Sequence, residues 1–182
     1  MTPPFPDKKY SVIYADPPWF HEAWANGKHR PSLHYPVMPT GEIATLPVGA
    51  LSEKSAVLFL WATLPHLQEA LEVMMAWGFT YKTGAFVWVK ENRVADGLFK
   101  GMGSYTMSNA ELCLVGTKGK GLKRKDRSVR QVVICPRSHH SEKPAEVRDR
   151  IVKLYGDVPR IELFARQRVP GWDAWGLEVP EA

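Results

Sequence analysis

A chain of 182 residues with 45% hydrophobic and 11% aromatic residues and only two cysteines can bury a core without disulfides, which excludes disordered and disulfide-stapled classes. No apolar run approaches the ~20 residues of a membrane span, and the start MTPPFPDKKY lacks a signal-peptide core. One domain over residues 1–182, cytoplasmic and with reduced thiols at Cys113 and Cys135, is the expectation.

In chain order, Tyr10–Ala15 reads as a strand, followed at once by Asp16-Pro17-Pro18-Trp19. A short helical turn is predicted near Thr40–Leu46 and a strand over Ala56–Trp61. A helix follows between Trp61 and Tyr81. Thr63 can cap it, Pro65 suits its first turn, and Leu67, Ala70, Leu71, Met74 and Met75 form the apolar stripe before Gly78. Strands are predicted over Ala85–Lys90, Glu111–Val115, Gln131–Cys135 and Arg160–Phe164. A second helix spans about Lys143 to Tyr155, with Val147, Ile151 and Leu154 inward and Gly156 as its stop. The segments Lys90–Glu111 and Gly116–Arg130 are polar and Gly-rich, fit for lids or substrate-binding loops. Unbroken apolar strands alternating with helices predict an α/β fold, a mainly parallel sheet covered on both faces. Ligands then belong at the strands' carboxyl ends, where Asp16 and the segment after Phe164 lie.

The net charge of +5 is local: Lys118–Arg130, KGKGLKRKDRSVR, holds seven basic residues and one acid, which leaves the remainder at −1. Such a cluster, with Lys123, Arg124 and Lys125 at its centre, is either a solvated loop or a nucleic-acid contact. His139-His140 near Cys135 lacks metal-ligand spacing, so no metal is expected.

The prolines of ADPPW fix φ and remove two N–H donors, while Asp16 adds two acceptor oxygens and Trp19 a flat face. An acceptor-only pocket beside an indole suits a planar amine such as adenine. Asp16 would take one N–H and the Pro17 carbonyl the other, which favours a pyramidal nitrogen whose lone pair meets an electrophile. The carboxylate can then receive the released proton.

ADPPW resembles the Asp/Asn-Pro-Pro-aromatic motif of amino-methyltransferases, and with LFLWAT, FVWVK, ELCLVGTKG, SEKPAEV and IELFAR the chain is similar to the MT-A70 family over about Tyr10 to Glu178. The resemblance implies a Rossmann-like methyltransferase fold, permuted so that the catalytic motif precedes the cofactor strand, and S-adenosylmethionine as cofactor. By the same resemblance, Asp16, Pro17, Pro18 and Trp19 are catalytic. Lys143 (in Ser-Glu-Lys-Pro, where the family has His before Lys), Glu162, Phe164, Arg166 and Arg168 join Asp16 around the cofactor. Leu177 and Glu178 stand where the family has an Asn-Gln pair. Tyr35 of HYPVM, Trp61, and Arg137, His139 and Ser141 of the RSHHS loop become substrate contacts, although the cluster of Trp61, Trp77 and Trp88 also reads as core. The implied activity is methylation of the adenine exocyclic amine, in DNA by likeness to small prokaryotic members. RNA as substrate, or a non-catalytic nucleic-acid-binding partner subunit, are the alternatives; oligomeric state is left open.

Overall fold

The computed structural model describes residues 3–20, 37–103, 105–137 and 142–179. Seven strands form one sheet: β1 (Tyr10–Ala15), β2 (Ser52–Ala62), β3 (Thr80–Glu91), β4 (Ala110–Lys118), β5 (Val132–Pro136), β6 (Arg160–Leu163) and β7 (Asp173–Trp175), in the order β5-β3-β4-β2-β1-β6-β7. All pairings are parallel except those of β4, which runs against both β2 and β3. The helices are α1 (Thr40–Thr45), α2 (Val48–Leu51), α3 (Leu67–Ala76, entered through a 3-10 turn at Leu64–His66) and α4 (Ala145–Tyr155). This is the Rossmann-like methyltransferase architecture, and no helix among the described residues is long and apolar enough to cross a membrane.

Side-chain alternation assigns the two faces. Ile13 and Ala15 of β1, Leu58 and Leu60 of β2 and Ile161 and Leu163 of β6 pack with Ile43, Ala70, Val73, Met74 and Trp77 on one side. Val12, Tyr14, Val57, Phe59 and Trp61 pack with Val147, Ile151 and Tyr155 of α4 on the other. Burial on both faces is why these strands read as unbroken apolar runs.

Besides the short α2 and the earlier start of β3 at Thr80, the structure departs from the sequence reading in three places. β4 is antiparallel because the segment from β3 to β4 has no crossover helix, so the chain returns from the same rim as a hairpin. β7 adds a strand that three residues after Pro170-Gly171 do not announce; its pairing with β6 supplies the missing signal. On α3 the inward residue is Val73, while Met75 is 72% exposed. The stop is as expected, with Gly78 at φ 82°, a conformation glycine adopts without a Cβ clash.

Six strands therefore end on one rim, at Ala15, Ala62, Glu91, Pro136, Leu163 and Trp175, where β4 begins. Beneath that rim the fully buried Trp61 donates its Nε1–H to the Tyr14 hydroxyl at 2.6 Å. Tyr14→Phe strands this indole N–H in the core, and a stability loss of about 1–3 kcal/mol in urea denaturation is expected. An unchanged midpoint would show that the bond contributes nothing.

Candidate active site

The carboxyl-terminal rim carries a cavity of about 250 Å³. Asp16–Trp19 leave β1 into it, Trp61–Thr63 leave β2, and Phe164–Arg166 leave β6. Lys90 closes β3, Glu111 opens β4, and Lys143 precedes α4; His66, Leu177 and Glu178 complete the wall.

Its centre is an alternating row of charges. Lys143 Nζ lies 2.8 Å from Asp16 Oδ2 and 3.3 Å from Glu111 Oε2, and Lys90 Nζ lies 2.5 Å from Glu111 Oε1. Two indoles floor the row, with Lys143 over Trp61 at 5.6 Å and Lys90 over Trp88 at 5.0 Å from the ring centroids. Burial pushes the Asp16 carboxyl above its ordinary range, against the pull of Lys143. Burial also works against Glu111 ionisation, but Lys143 and Lys90 outweigh it and hold that carboxyl low. Desolvation opposes the Lys143 charge, yet Asp16 and Glu111 dominate and keep the ammonium protonated.

The proline turn is more specific than the sequence shows. The Pro17 carbonyl accepts the Trp19 backbone N–H at 2.9 Å, and the Pro18 carbonyl accepts that of Met38 at 2.8 Å. Pro17 thus keeps one lone pair for a ligand rather than two. Asp16 Oδ2 is taken by Lys143, whereas Oδ1 accepts no hydrogen bond from any described residue. Trp19 is 9% exposed, bonded through Nε1–H to the Trp61 carbonyl at 3.1 Å and stacked on His66 at 5.8 Å. Its indole therefore serves largely as wall, fixed by those two partners, with little free face to offer a base. Trp61 likewise lines the cavity while its ring is buried and engaged by Tyr14 and Lys143.

On the β6 side, Phe164 adopts φ 60°, a costly conformation for a bulky residue. The bond from Ala165 N–H to the Trp175 carbonyl at 3.0 Å draws the segment after β6 against the segment after β7. An added Cβ at Gly176 would lie 2.2 Å from the Ala165 carbonyl oxygen, so only glycine permits this approach. Arg166 and Glu178, 3.7 Å apart, and the apolar Phe164 and Leu177 thereby face one cavity.

Several sequence-predicted residues are not gathered here. Glu162 does not line the cavity and meets Arg148 Nη1 through both carboxylate oxygens at 3.1 and 3.2 Å, its carboxyl pushed up by burial. Arg168 lies outside the cavity wall. Arg137 follows β5, four strands from β1 or roughly 19 Å away, with its guanidinium 3.5 Å above the Phe99 ring. Lys123, Arg124 and Lys125 follow β4 on the opposite rim, because Lys118 pairs with Ala56 near the start of β2. Tyr35, His139 and Ser141 lie outside the described residues. Sequence reasoning missed Lys90, Glu111, Thr63 and His66 as wall residues. The signal for the first two was present: FVWVK and AELCLV each place a charge at the end of a buried strand, where it needs a partner.

The titration of this row is directly measurable. Carboxyl NMR should place the Asp16 midpoint above the ordinary ~3.9 of an aspartate. Lys143→Met should raise it further and raise that of Glu111. The linkage signs are opposite: the raised Asp16 lowers stability as pH rises through its folded midpoint, while the lowered Glu111 contributes stability that is lost as pH falls through its own. An Asp16 midpoint at or below the ordinary value, or one indifferent to Lys143, would contradict the geometry.

With this geometry the comparisons with known proteins agree. The MT-A70 family profile matches residues 10–178. The Type II methyltransferase M.MunI of Mycoplasma sp is 39% identical, over all of this chain and 82% of its own length. Human METTL4, an N(6)-adenine-specific methyltransferase, is 30% identical over 94% of this chain and 38% of its own. Human METTL3, the N(6)-adenosine-methyltransferase catalytic subunit, is 28% identical over 94% of this chain and 28% of its own. The chain thus spans most of the Mycoplasma relative and well under half of the two human ones. The Asp-Pro-Pro-Trp turn lies at the rim of a methyltransferase sheet within a match that covers nearly the whole chain, and the chain belongs to the MT-A70 family.

Proposed function

We propose that this cavity binds S-adenosylmethionine beside one adenine and methylates the exocyclic N6 of that adenine in DNA. The observation that carries this reading is Asp16. One carboxylate oxygen is tied to Lys143, and the other accepts nothing from the described residues, next to a Pro17 carbonyl with a spare lone pair. Those two acceptors suit the two N–H bonds of an aromatic amine and reject a group without donors.

The residues on the β6 side fit the cofactor's donor and acceptor pattern. Phe164 and Leu177 offer apolar surface to a flat base, Glu178 an acceptor for ribose hydroxyls, and Arg166 a cation for a carboxylate. When bound, S-adenosylmethionine supplies an electrophilic methyl group. The protein's own work is to orient the amine, exclude water with the Trp19–His66 wall, and receive the amine proton at Asp16. Burial has already made Asp16 a better proton acceptor than a solvated aspartate, while Lys143 keeps it ionised and fixed in place.

A cavity of about 250 Å³ sunk among the strand ends cannot admit a stacked duplex, so a base in double-stranded DNA must be turned out to reach it. Support for DNA over RNA is the higher identity to the type II methyltransferase, 39%, than to the adenosine-named enzyme, 28%.

The test is tritiated-methyl transfer from S-adenosylmethionine onto duplex DNA, single-stranded DNA and RNA in parallel, followed by nucleoside identification. N6-methyladenine formed mainly in DNA is expected; preferential labelling of RNA would reassign the substrate. Asp16→Ala should lower the rate by about 10²–10⁴-fold while the fold persists by circular dichroism. Turnover within a few-fold of the parent would remove Asp16 from the chemistry.

A further inference from the structure

The strongest positive charge on the molecule lies away from the cavity. The segment from Lys118 to Arg130 carries net +6 and connects β4 to β5 at the amino-terminal rim. Strand β2 from Ala56, opposite Lys118, to Ala62 at the cavity separates the two ends by roughly 20 Å at 3.3 Å per residue.

The segment is a built platform. Leu122 and Val129 turn inward and pack on the α4-side core. The Lys125 backbone N–H is bonded to the Leu154 carbonyl at the end of α4 at 2.7 Å, and Gly121 N–H to the Lys118 carbonyl at 3.0 Å. Arg150 holds the Arg130 and Val132 carbonyls, each at 2.7 Å. The one acid, Asp126, is committed to Ser128 at 2.6 and 2.7 Å and to Lys153 at 3.6 Å. Lys120, Lys123, Arg124, Lys125, Arg127 and Arg130 are exposed, and none forms an ion pair with a described residue. By contrast, the acids and bases at the cavity centre neutralise one another.

Fixed apolar anchors beneath outward, uncompensated cations make a surface for a polyanion. The two apolar side chains are spent on the core, which leaves no insertion group for a lipid bilayer. We propose that this loop is a second nucleic-acid-binding surface, which grips the phosphate backbone of a segment other than the one presenting the target base. A duplex lying across the cavity rim would have to bend around the roughly 20 Å depth of the sheet to touch the opposite rim, which costs bending energy. The loop therefore tethers the enzyme to a distant stretch or to a second duplex, and its role is retention on the substrate. This inference rests on the nucleic-acid substrate proposed above.

The experiment uses the full chain and a duplex of about 12 base pairs, roughly 40 Å long at 3.4 Å per pair. Sedimentation at saturating duplex should give two duplexes per parent chain and one per chain of the triple variant Lys123→Glu, Arg124→Glu, Lys125→Glu. In fluorescence anisotropy the parent should show a second binding phase whose log affinity falls with log salt with a slope steeper by about three than in the absence of these cations, and the variant should lack that phase. The neutral variant Lys123→Gln, Arg124→Gln, Lys125→Gln should give the same stoichiometric loss with less risk to folding. One duplex per chain for both proteins, with unchanged salt slopes, overturns the proposal. So does loop-dependent binding of anionic phospholipid vesicles with duplex stoichiometry unaffected. Neither readout needs turnover, so two bound duplexes without methyl transfer would reject the catalytic reading alone, and methyl transfer with one bound duplex would reject the loop's role alone.

Discussion

Lys143 Nζ, 2.8 Å from Asp16 and 3.3 Å from Glu111, joins three parts of the chain that the sheet brings to one rim. Asp16 leaves β1, Glu111 opens β4, and Lys143 precedes α4. A buried ammonium between two carboxylates is tolerable only because each charge has a partner and Lys90 completes the row. The row sets the electrostatics of the site. It keeps Glu111 charged and tempers the rise that burial imposes on Asp16. It also engages only one oxygen of Asp16, a residue that lines the cavity.

Around that row the aromatic residues are mostly structural. Trp61 is buried, bonded to Tyr14 and lying beneath Lys143; Trp88 does the same for Lys90; Trp19 is bonded to the Trp61 carbonyl and stacked on His66. Low-polarity indole faces beneath the ammonium groups strengthen each ion pair by keeping water away from it. The cavity is thus a short ionic chain on an aromatic floor, with the proline turn at its lip. The wall on the β6 side depends on a different constraint, the close approach of the Ala165 and Gly176 backbones.

Much of this was legible in the residues. The apolar strand cores, the two longer helices and the Gly stops at 78 and 156 appear near where expected, because burial on both faces and left-handed stops leave local marks, whereas Thr63 caps nothing and bonds to His66 instead. The ADPPW turn, Lys143, Arg166 and Phe164 line one cavity, as expected from their places at strand ends and in the family motifs. That Glu162 pairs with Arg148 outside the cavity wall was not legible, because a strand residue's face follows from alternation against its neighbours, and Arg148 on α4 is invisible until the helix is docked. Arg137 follows a strand at the sheet's edge, four positions from β1, a place that only the strand order gives.

The sequence by itself determined the α/β class, the acceptor-only turn at Asp16 and the concentration of positive charge in Lys118–Arg130, since these are properties of residue type and local spacing. Only the tertiary structure decided which end of the sheet each loop occupies. The antiparallel course of β4 is the physical reason. It delivers Glu111 to the cavity at one end of the strand and carries the basic loop to the opposite rim at the other. Strand direction is set by pairing between distant segments, and no local pattern in ELCLVGTKG records it.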